Sequence, residues 1–492
     1  MTVRLFNTLT ATVEDLVPAD GRELRIYACG PTVYDYCHIG NFRTFLQMDV
    51  LRRFLRQQGY RLRHVMNVTD VDDKIIRNAA EAGLAIGAYT AKYEKAFFED
   101  MEALGCERPE VVARATENIP EMIALVDRLA EKGLAYRTGD GSWYFRIAGF
   151  PGYGKLSKKD FTGLNDGARV DVDEYDKDSA RDFALWKAAK PGEHFWDLNL
   201  GPGRPGWHIE CSAMAMKYLG ESIDLHAGGE DLMFPHHENE IAQSESASGK
   251  ILSRHWMHVR FLLVEGRKMS KSEGNFFTLR DLLLKGHKAS AIRFLLISVP
   301  YGHPLNFKQD GLIESANAVE RLRTFAQRLR GGGFAEGRDA ALEELAQRTQ
   351  ESFREALAND LNTAEARAAI FEMARTANSA ADAGSLRAGN VPAMLEALRQ
   401  FDEIFCVLED RDAEITRRAL EWGQAEGRLD RAALQLQEEL SLDEHRIEAL
   451  VAEREQARRS RNFARSDEIR SHLAAKGILI EDTRDGVRWR RR

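Results

Sequence analysis

Residues 24–55 read LRIYACGPTVYDYCHIGNFRTFLQMDVLRRFL. The stretch from Leu24 to Cys29, closed by Gly30 and Pro31, predicts a short strand. Beyond His38-Ile39-Gly40-Asn41, Phe42, Leu46, Val50 and Phe54 recur every fourth residue, and Phe45, Leu51 and Leu55 widen the stripe, which predicts an amphipathic helix. A second strand is expected near Leu62 to Val68, leading through Thr69 and Asp70 into another helix. Strand–helix alternation of this kind predicts a parallel sheet.

The alternation lapses and returns. Long helical stretches are expected at about 88–104 and 116–132, then a hairpin over 134–147 turning at Gly139-Asp140-Gly141. Residues 148–206, rich in Gly, Pro, Asp and Lys, read as an insertion. Strands resume at Ile223 to His226 and Trp256 to Val264, with a helix opening at Pro235 between them. After about 300 the chain reads as helical, interrupted at Gly331-Gly332-Gly333 and at 384–392. A last helical stretch, 443–475, precedes a strand-like end at 477–489.

With 492 residues the length suits roughly three domains. The chain is 44% hydrophobic and 30% charged with 12 prolines, which excludes disorder and collagen-like repeats over most of its length. Its apolar runs are far shorter than the roughly 20 residues of a membrane span, and no secretory signal is visible, so no membrane association is expected. Five scattered cysteines (Cys29, Cys37, Cys106, Cys211 and Cys406) are no disulfide framework; they predict a reducing, cytoplasmic setting with Cys37, Cys106 and Cys406 inert. The net charge of −8 argues against indiscriminate nucleic-acid binding. From Arg446 onward, however, 13 basic residues face 8 acidic ones. On the count alone that is a solvated helix; in context it is a possible nucleic-acid handle.

Two strings suit phosphate. His38-Ile39-Gly40-Asn41 sits where a helix N-terminus presents unpaired N–H groups and partial positive charge. Gly40 permits close backbone approach, and His38 can donate to a phosphoryl oxygen as charge develops. Lys268-Met269-Ser270-Lys271-Ser272 places two lysines among hydroxyls in a loop, a grip for triphosphate. The similar Lys155-Leu156-Ser157-Lys158 lies in the insertion and is read as an ordinary basic loop. The ordered pair on a parallel α/β scaffold resembles the two signatures of class I aminoacyl-tRNA synthetases.

A metal is the next expectation. In Asp231–Glu240 (DLMFPHHENE), His236 and Glu240 stand at i and i+4, on one face of a helix, while His237 and Glu240 form a competing i, i+3 pair. Cys29 and Cys211 can meet that face above the sheet, giving a tetrahedral zinc donor set; two buried cysteines and a polar helix start are the plainer alternative. Pocket size separates cysteine from serine by only ~1–3 kcal/mol, whereas zinc binds thiolate far better than hydroxyl. The acidic group Asp70, Asp72 and Asp73 is read as favouring the next helix's N-terminus rather than as a second metal site.

Residues 27–34 (YACGPTVY), 67–74 (NVTDVDDK), 183–191 (FALWKAAKP), 203–211 (GRPGWHIEC), 231–240, 360–363 (DLNT) and 477–483 (GILIEDT) together resemble the cysteinyl-tRNA synthetase family over nearly the whole chain. The resemblance implies an α/β fold: a Rossmann-type parallel-sheet catalytic domain with an insertion, then a helical bundle and a small mixed α/β anticodon-binding domain. It implies boundaries of 1–125 with 201–262 for the catalytic halves, 126–200 for the connective insertion, 263–310 for the KMSKS-bearing linker, 311–430 for the bundle and 431–492 for the anticodon-binding region. Its zinc ligands fall on Cys29, Cys211, His236 and Glu240. Catalysis would rest on His38, Asn41, Lys268 and Lys271, with Gly40 and Asp231 also meeting ATP and Asp231 on the ribose. Gly30, Thr69, Trp207 and His226 would form the cysteine pocket. Asn41 departs from the histidine often found there. The implied substrates are L-cysteine, Mg·ATP and tRNA(Cys), and the implied state is a monomer. A ligase joining cysteine to an amino sugar resembles the catalytic half but lacks the C-terminal segment; a catalytically dead, tRNA-binding paralogue would not retain both the ligands and the lysine signature.

Overall fold

The computed structural model describes residues 1–159, 169–170, 182–270, 273–440, 444–483 and 486–491. The chain forms two compact units, Met1–Leu279 with Ser290–Glu409, and Arg280–Ala289 with Asp410–Arg492.

In the first unit five parallel strands lie in the order Ser253–Val259, Ile223–Gly229, Glu23–Ala28, Arg61–Val68, Val111–Arg114. The central strands are buried over most of their length, Arg61–Arg63 excepted, because helices cover both faces. From Glu23–Ala28 the chain first builds outward to one side, then crosses back to Ile223–Gly229 on the other. A crevice opens beyond the carboxyl ends of the strands at such a reversal, between these two neighbours. The predicted first helix spans Ile39–Gln57, with Phe42, Leu46, Val50 and Phe54 fully buried.

The predicted hairpin, Ala135–Arg137 with Trp143–Phe145, belongs to a separate sheet with Asp182–Ala188, Gly201–Pro205 and Trp196–Leu198, joined by Arg169–Val170. Residue 126 lies within the helix Ile119–Glu131, whose apolar face packs on the parallel-sheet core. The look-alike loop is structural: Leu156 is fully buried, Lys155 pairs with Glu245, and Lys158 Nζ donates to the Leu9 carbonyl.

Four expectations need correction. An N-terminal hairpin, Arg4–Asn7 with Thr12–Asp15, precedes the strand expected to be first; its turn lacks an Asn-Gly or Asp-Gly signal. The fifth sheet strand, Val111–Arg114, has only four residues and shows no period. The single strand expected over 256–264 is broken. Ser253–Val259 stays in the parallel sheet, whereas Leu262–Val264 pairs with Arg267–Lys268 and Leu305–Phe307. The break is held by buried Arg43, whose guanidinium donates to the carbonyls of Arg260 and Phe261. The stretch 443–475 is two helices, Glu444–Arg459 and Phe463–Ala475, because Arg461 takes a positive φ of 57° and Asn462 caps the second through Arg465 N.

In the remainder of the first unit, the helices Gln309–Gly331, Ala340–Ala358, Thr363–Asp382 and Val391–Phe405 pack together. The helix Asp412–Ala425 belongs to the second unit, where Arg280 stacks on Trp422 at 4.3 Å and bonds Glu426 at 2.8 Å. That unit ends in the hairpin Ile478–Thr483 with Gly486–Arg491, which closes a small core around Ile447, Ile469 and Leu473.

Candidate functional site

A cavity of about 620 Å³ opens at the carboxyl ends of the strands Glu23–Ala28 and Ile223–Gly229. Cys29, Gly30, His38, Gly40, Asn41, Trp207, Asp231 and Lys268 all line it. Eight positions picked from separate stretches of sequence thus meet in one cleft.

At the nucleotide-facing end, His38 caps the helix Ile39–Gln57. Its Nδ1 accepts from Asn41 N at 3.1 Å, and Asn41 Oδ1 accepts from His38 N at 3.1 Å, a reciprocal capping box. With Nδ1 accepting, the neutral ring carries its proton on Nε2, which leaves a donor beyond the cap. A Cβ on Gly40 would lie 2.9 Å from this imidazole, so the folded-back ring needs glycine there. Lys268 is delivered by a two-residue hairpin whose Glu265 and Gly266 both have positive φ, as the turn geometry requires. Asn275, missed in the sequence reading, fastens the loop: its side chain accepts from Ser270 N at 2.8 Å and donates to Lys268 O at 3.1 Å. Phe276 meets the His38 ring edge-on at 5.3 Å. Lys271 and Ser272 lie outside the described residues.

Beside this end lies the thiol cluster. Phe234 is extended, so helical backbone resumes at Pro235 and puts His236 one turn before Glu240. His236 Nε2 is 3.1 Å from Glu240 Oε1; Cys29 Sγ is 3.8 Å from Cys211 Sγ and 3.7 Å from Glu240 Oε1. A tetrahedral zinc with sulfur at about 2.3 Å has a sulfur–sulfur edge of about 3.8 Å. All four residues are buried, and of them only Cys29 reaches the cleft wall. Burial pushes the Cys29 thiol well up. Burial acts in the same sense on Cys211, but its contacts with Cys29 and His236 outweigh it and bring that thiol to about 6. Against the opposing effect of burial, Cys211 and Glu240 hold His236 up at about 10. Two anions crowd one cation here, a donor set that suits zinc in both charge and softness.

A second set, Cys29, His226, His237 and Glu240, shares two members with the first. In this set His237 Nε2 is 3.4 Å from Cys29 Sγ, whereas His226 is bound to Glu240 alone. His226 Nε2 bonds Glu240 Oε2 at 2.9 Å while its ring stacks on Trp256 at 4.5 Å, and His237 Nδ1 bonds His258 Nε2 at 2.8 Å. The set with two sulfurs is the better zinc site. His236 Nδ1 is in turn 3.0 Å from His208 Nδ1, a partner absent from the sequence reading, and this fixes the ring so that Nε2 faces the cluster.

Two expected pocket residues are not on the cleft wall. His226 is fully buried behind Glu240. Thr69 is buried in a chain of bonds: Gly30 N donates to Asn67 Oδ1 at 2.8 Å, Asn67 Nδ2 to Thr69 Oγ1 at 3.2 Å, and Thr69 Oγ1 to Glu210 Oε2 at 2.8 Å. Neither lines the cavity: Thr69 Oγ1 is taken up by Asn67 and Glu210, and His226 Nε2 by Glu240, while His226 Nδ1 is buried without a hydrogen-bond partner among the described residues. Trp207 does line it, with its ring 4.4 Å from that of His236. Asp70, Asp72 and Asp73 go separate ways: Asp70 accepts from Thr116, Asp72 caps a helix through Ile75 N, and Asp73 pairs with Lys187 and Arg204. Burial pushes the Cys37 and Cys106 thiols up, in keeping with inert side chains.

Comparison with known proteins agrees with this geometry. Residues 15–317 match the family model described as tRNA synthetases class I (C) catalytic domain, residues 352–409 a DALR domain, and residues 444–490 a Cysteinyl-tRNA ligase anticodon binding domain. The chain is 59% identical to the Cysteine--tRNA ligase of Koribacter versatilis (strain Ellin345) and 54% identical to that of Solibacter usitatus (strain Ellin6076), with 100% of each chain covered in both cases. Among solved structures, Mycobacterium tuberculosis methionyl-tRNA synthetase in complex with methionyl-adenylate aligns with a TM-score of 0.57 at 17% identity, over 82% of this chain and 91% of that one. The ternary complex of Agrobacterium radiobacter K84 agnB2 LeuRS-tRNA-LeuAMS aligns with a TM-score of 0.59 at 12% identity, over 80% and 85%. At those identities the structural likeness speaks for the fold alone. No helix among the described residues is long and apolar enough to cross a membrane.

Proposed function

Because the chain belongs to the cysteine--tRNA ligase family of class I aminoacyl-tRNA synthetases, we propose that it joins L-cysteine to tRNA(Cys) by way of cysteinyl-adenylate. The observation that carries this reading is the buried Cys29–Cys211–His236–Glu240 cluster, which opens through Cys29 onto the same cleft as the His38-capped helix. Zinc held by those four side chains would supply a coordination position that accepts the substrate thiolate and discriminates against the serine hydroxyl.

The cysteine carboxylate, already ionised at neutral pH, needs no general base. It attacks the α-phosphorus of Mg·ATP; the new oxygen–phosphorus bond forms as the bond to the bridging oxygen breaks, and pyrophosphate leaves. His38 Nε2–H, Asn41, the first-turn N–H groups at Gly40, and the Lys268 and Lys271 ammonium groups stabilise charge on the phosphates. Asp231 holds the ribose, while Gly30 and Trp207 flank the amino acid. His226 orients Glu240, and Thr69 supports Gly30. In the second step the 2′-hydroxyl of the terminal adenosine attacks the activated carbonyl, and AMP departs.

Residues 1–125 with 201–262 are assigned to the catalytic domain, 126–200 to the connective insertion, 263–310 to the linker, 311–430 to the bundle and 431–492 to anticodon binding. The last assignment and the family match over 444–490 favour tRNA over an amino sugar as acceptor. The enzyme works as a cytoplasmic monomer. The test is ATP–pyrophosphate exchange with cysteine and with serine, on zinc-loaded protein and on Cys211→Ser. Exchange with cysteine alone, lost in the variant, is expected; equal exchange with both amino acids overturns zinc selection.

A further inference from the structure

Two elements that face the cleft each send one side chain to the root of the lysine hairpin. The first is the helix Ile39–Gln57, whose N-terminus carries His38 and Gly40. About one turn along it lies Arg43, fully buried. Its Nη1 donates to the carbonyls of Arg260 and Phe261, and its Nη2 to those of His303 at 2.6 Å and Pro300 at 3.3 Å. The second element is the segment that follows Ile223–Gly229. There Glu230, the neighbour of Asp231, accepts from Phe261 N and from Arg260 Nη1, both at 2.6 Å. Phe261 is thus held by both of its polar backbone groups, the carbonyl by Arg43 and the N–H by Glu230. Burial pushes the Arg43 guanidinium down to about 10 against the attraction of Glu230, so it stays charged at neutral pH.

At Phe261 the chain leaves the parallel sheet for the three-stranded sheet that bears Lys268. Leu262–Val264 begins at the next residue, and Leu263 stands opposite Lys268. The Lys268 ammonium lies 5.6 Å from the centre of the Phe261 ring. Met269, next in the chain, has its Cε 3.6 Å from the place a Cβ on Gly40 would take. The hairpin therefore reaches back over the helix N-terminus, about one turn from the arginine that holds its root. We propose that Arg43 and Glu230 are positioning residues for amino-acid activation: they fix the root of the hairpin so that Lys268 meets the phosphates of a nucleotide seated on the His38 helix. The proposal rests on the role given to Lys268 above. Apolar packing could join these elements without desolvating a charge. The planar guanidinium adds a fixed direction to each of its bonds, which is what aiming a distant ammonium group requires.

The experiment is a double-mutant cycle on the full, zinc-loaded chain: parent, Arg43→Lys, Lys268→Ala and the two changes together. Lysine keeps the charge but cannot span four carbonyls. Pyrophosphate exchange is measured with ATP and cysteine varied in turn, and ATP affinity by calorimetry. Arg43→Lys should lower kcat by about 10²-fold, the scale of a misplacement of about 1 Å, and raise the KM for ATP while leaving that for cysteine unchanged. In the Lys268→Ala background the same change should cost little more, because its effect runs through the lysine. Losses that multiply, KM values that rise together, or a Lys268→Ala variant as active as the parent overturn the proposal. Glu230→Ala, on the partly exposed side of the clamp, takes the place of Arg43→Lys in the cycle if that variant does not fold. If the parent shows no cysteine-dependent exchange, the ligase reading fails, and the cycle in ATP affinity decides the clamp by the same criterion.

Discussion

Glu240 divides its carboxylate between two histidines: Oε2 lies 2.9 Å from His226 Nε2, and Oε1 lies 3.1 Å from His236 Nε2. One oxygen is thereby held back and the other is aimed at the cysteines. His226→Phe removes the hold without removing a ligand, so zinc affinity should fall about 10–100-fold, the usual effect of a partner behind a ligand. Cys211→Ser should cost more. Chelator competition gives both affinities. Cobalt-substituted protein separates the two roles, because thiolate-to-cobalt absorption should persist in His226→Phe and weaken in Cys211→Ser. Equal spectra from the two variants would contradict the assignment of Cys211 as a ligand.

The reciprocal bonds between His38 and Asn41 give each side chain a structural duty. His38→Ala should lower pyrophosphate exchange by about 10²–10³-fold if Nε2–H donates to charge in the transition state. Asn41→Ala breaks half of the cap and should destabilise the protein by about 1 kcal/mol, with a smaller effect on exchange. Denaturant midpoints alongside exchange rates distinguish them. A larger rate loss in Asn41→Ala would mean that the asparagine, rather than the histidine, meets phosphate.

The central sheet was legible because Phe42, Leu46, Val50 and Phe54 obey a helical period and strands alternate with helices around them. The four-residue strand Val111–Arg114 has too few side chains to show alternation, and the break after Val259 depends on Arg43, more than 200 residues away in sequence. The donor set was legible as chemistry, whereas the choice between His236 and His237 needed either a resemblance or coordinates. Thr69 and His226 are assigned to the pocket by the resemblance, which carries a residue's place in the chain but not the direction in which its bonds run. Asn67, Asn275 and His208 escaped for the complementary reason: a supporting residue carries no signal apart from the group it supports.

Acid stability should depend on the Glu110 cluster. Burial raises the Glu110 carboxyl, but two bonds from Arg52 and one from His64 N outweigh it and hold the group at about 2, against 4.5 ordinarily. Burial, then Arg52, bring the His64 imidazole down to about 3 from 6.5. Both folded-state values are depressed, so the unfolded chain binds more protons on acidification. The His64 contribution is complete above about pH 6.5 and lost towards 3; that of Glu110 is complete above about 4.5 and lost towards 2. Glu110→Gln should therefore be less stable at neutral pH, and its deficit should close as pH falls through the lower window. Urea midpoints across the range check this, and a deficit that widens on acidification would refute it.

Gly30 has no room for a side chain, since a Cβ would lie 1.8 Å from the Asn67 carbonyl oxygen, a backbone atom that cannot rotate away. Gly30→Ala must push the loop after Cys29 off its neighbour and break the bond from Gly30 N to Asn67 Oδ1. Overpacking of this kind costs about 1–3 kcal/mol. The larger consequence is positional, because Cys29 precedes Gly30 and both line the cleft. A misplacement of about 1 Å can cost on the order of 10²-fold in rate, so kcat/KM for cysteine in the exchange reaction should fall by about that factor. The KM for ATP should move less, because His38 and Gly40 are carried by the separate helix Ile39–Gln57. Steady-state exchange with each substrate varied in turn measures both, and an equal rise in the two KM values would show that the whole cleft shifts rather than the amino-acid end alone.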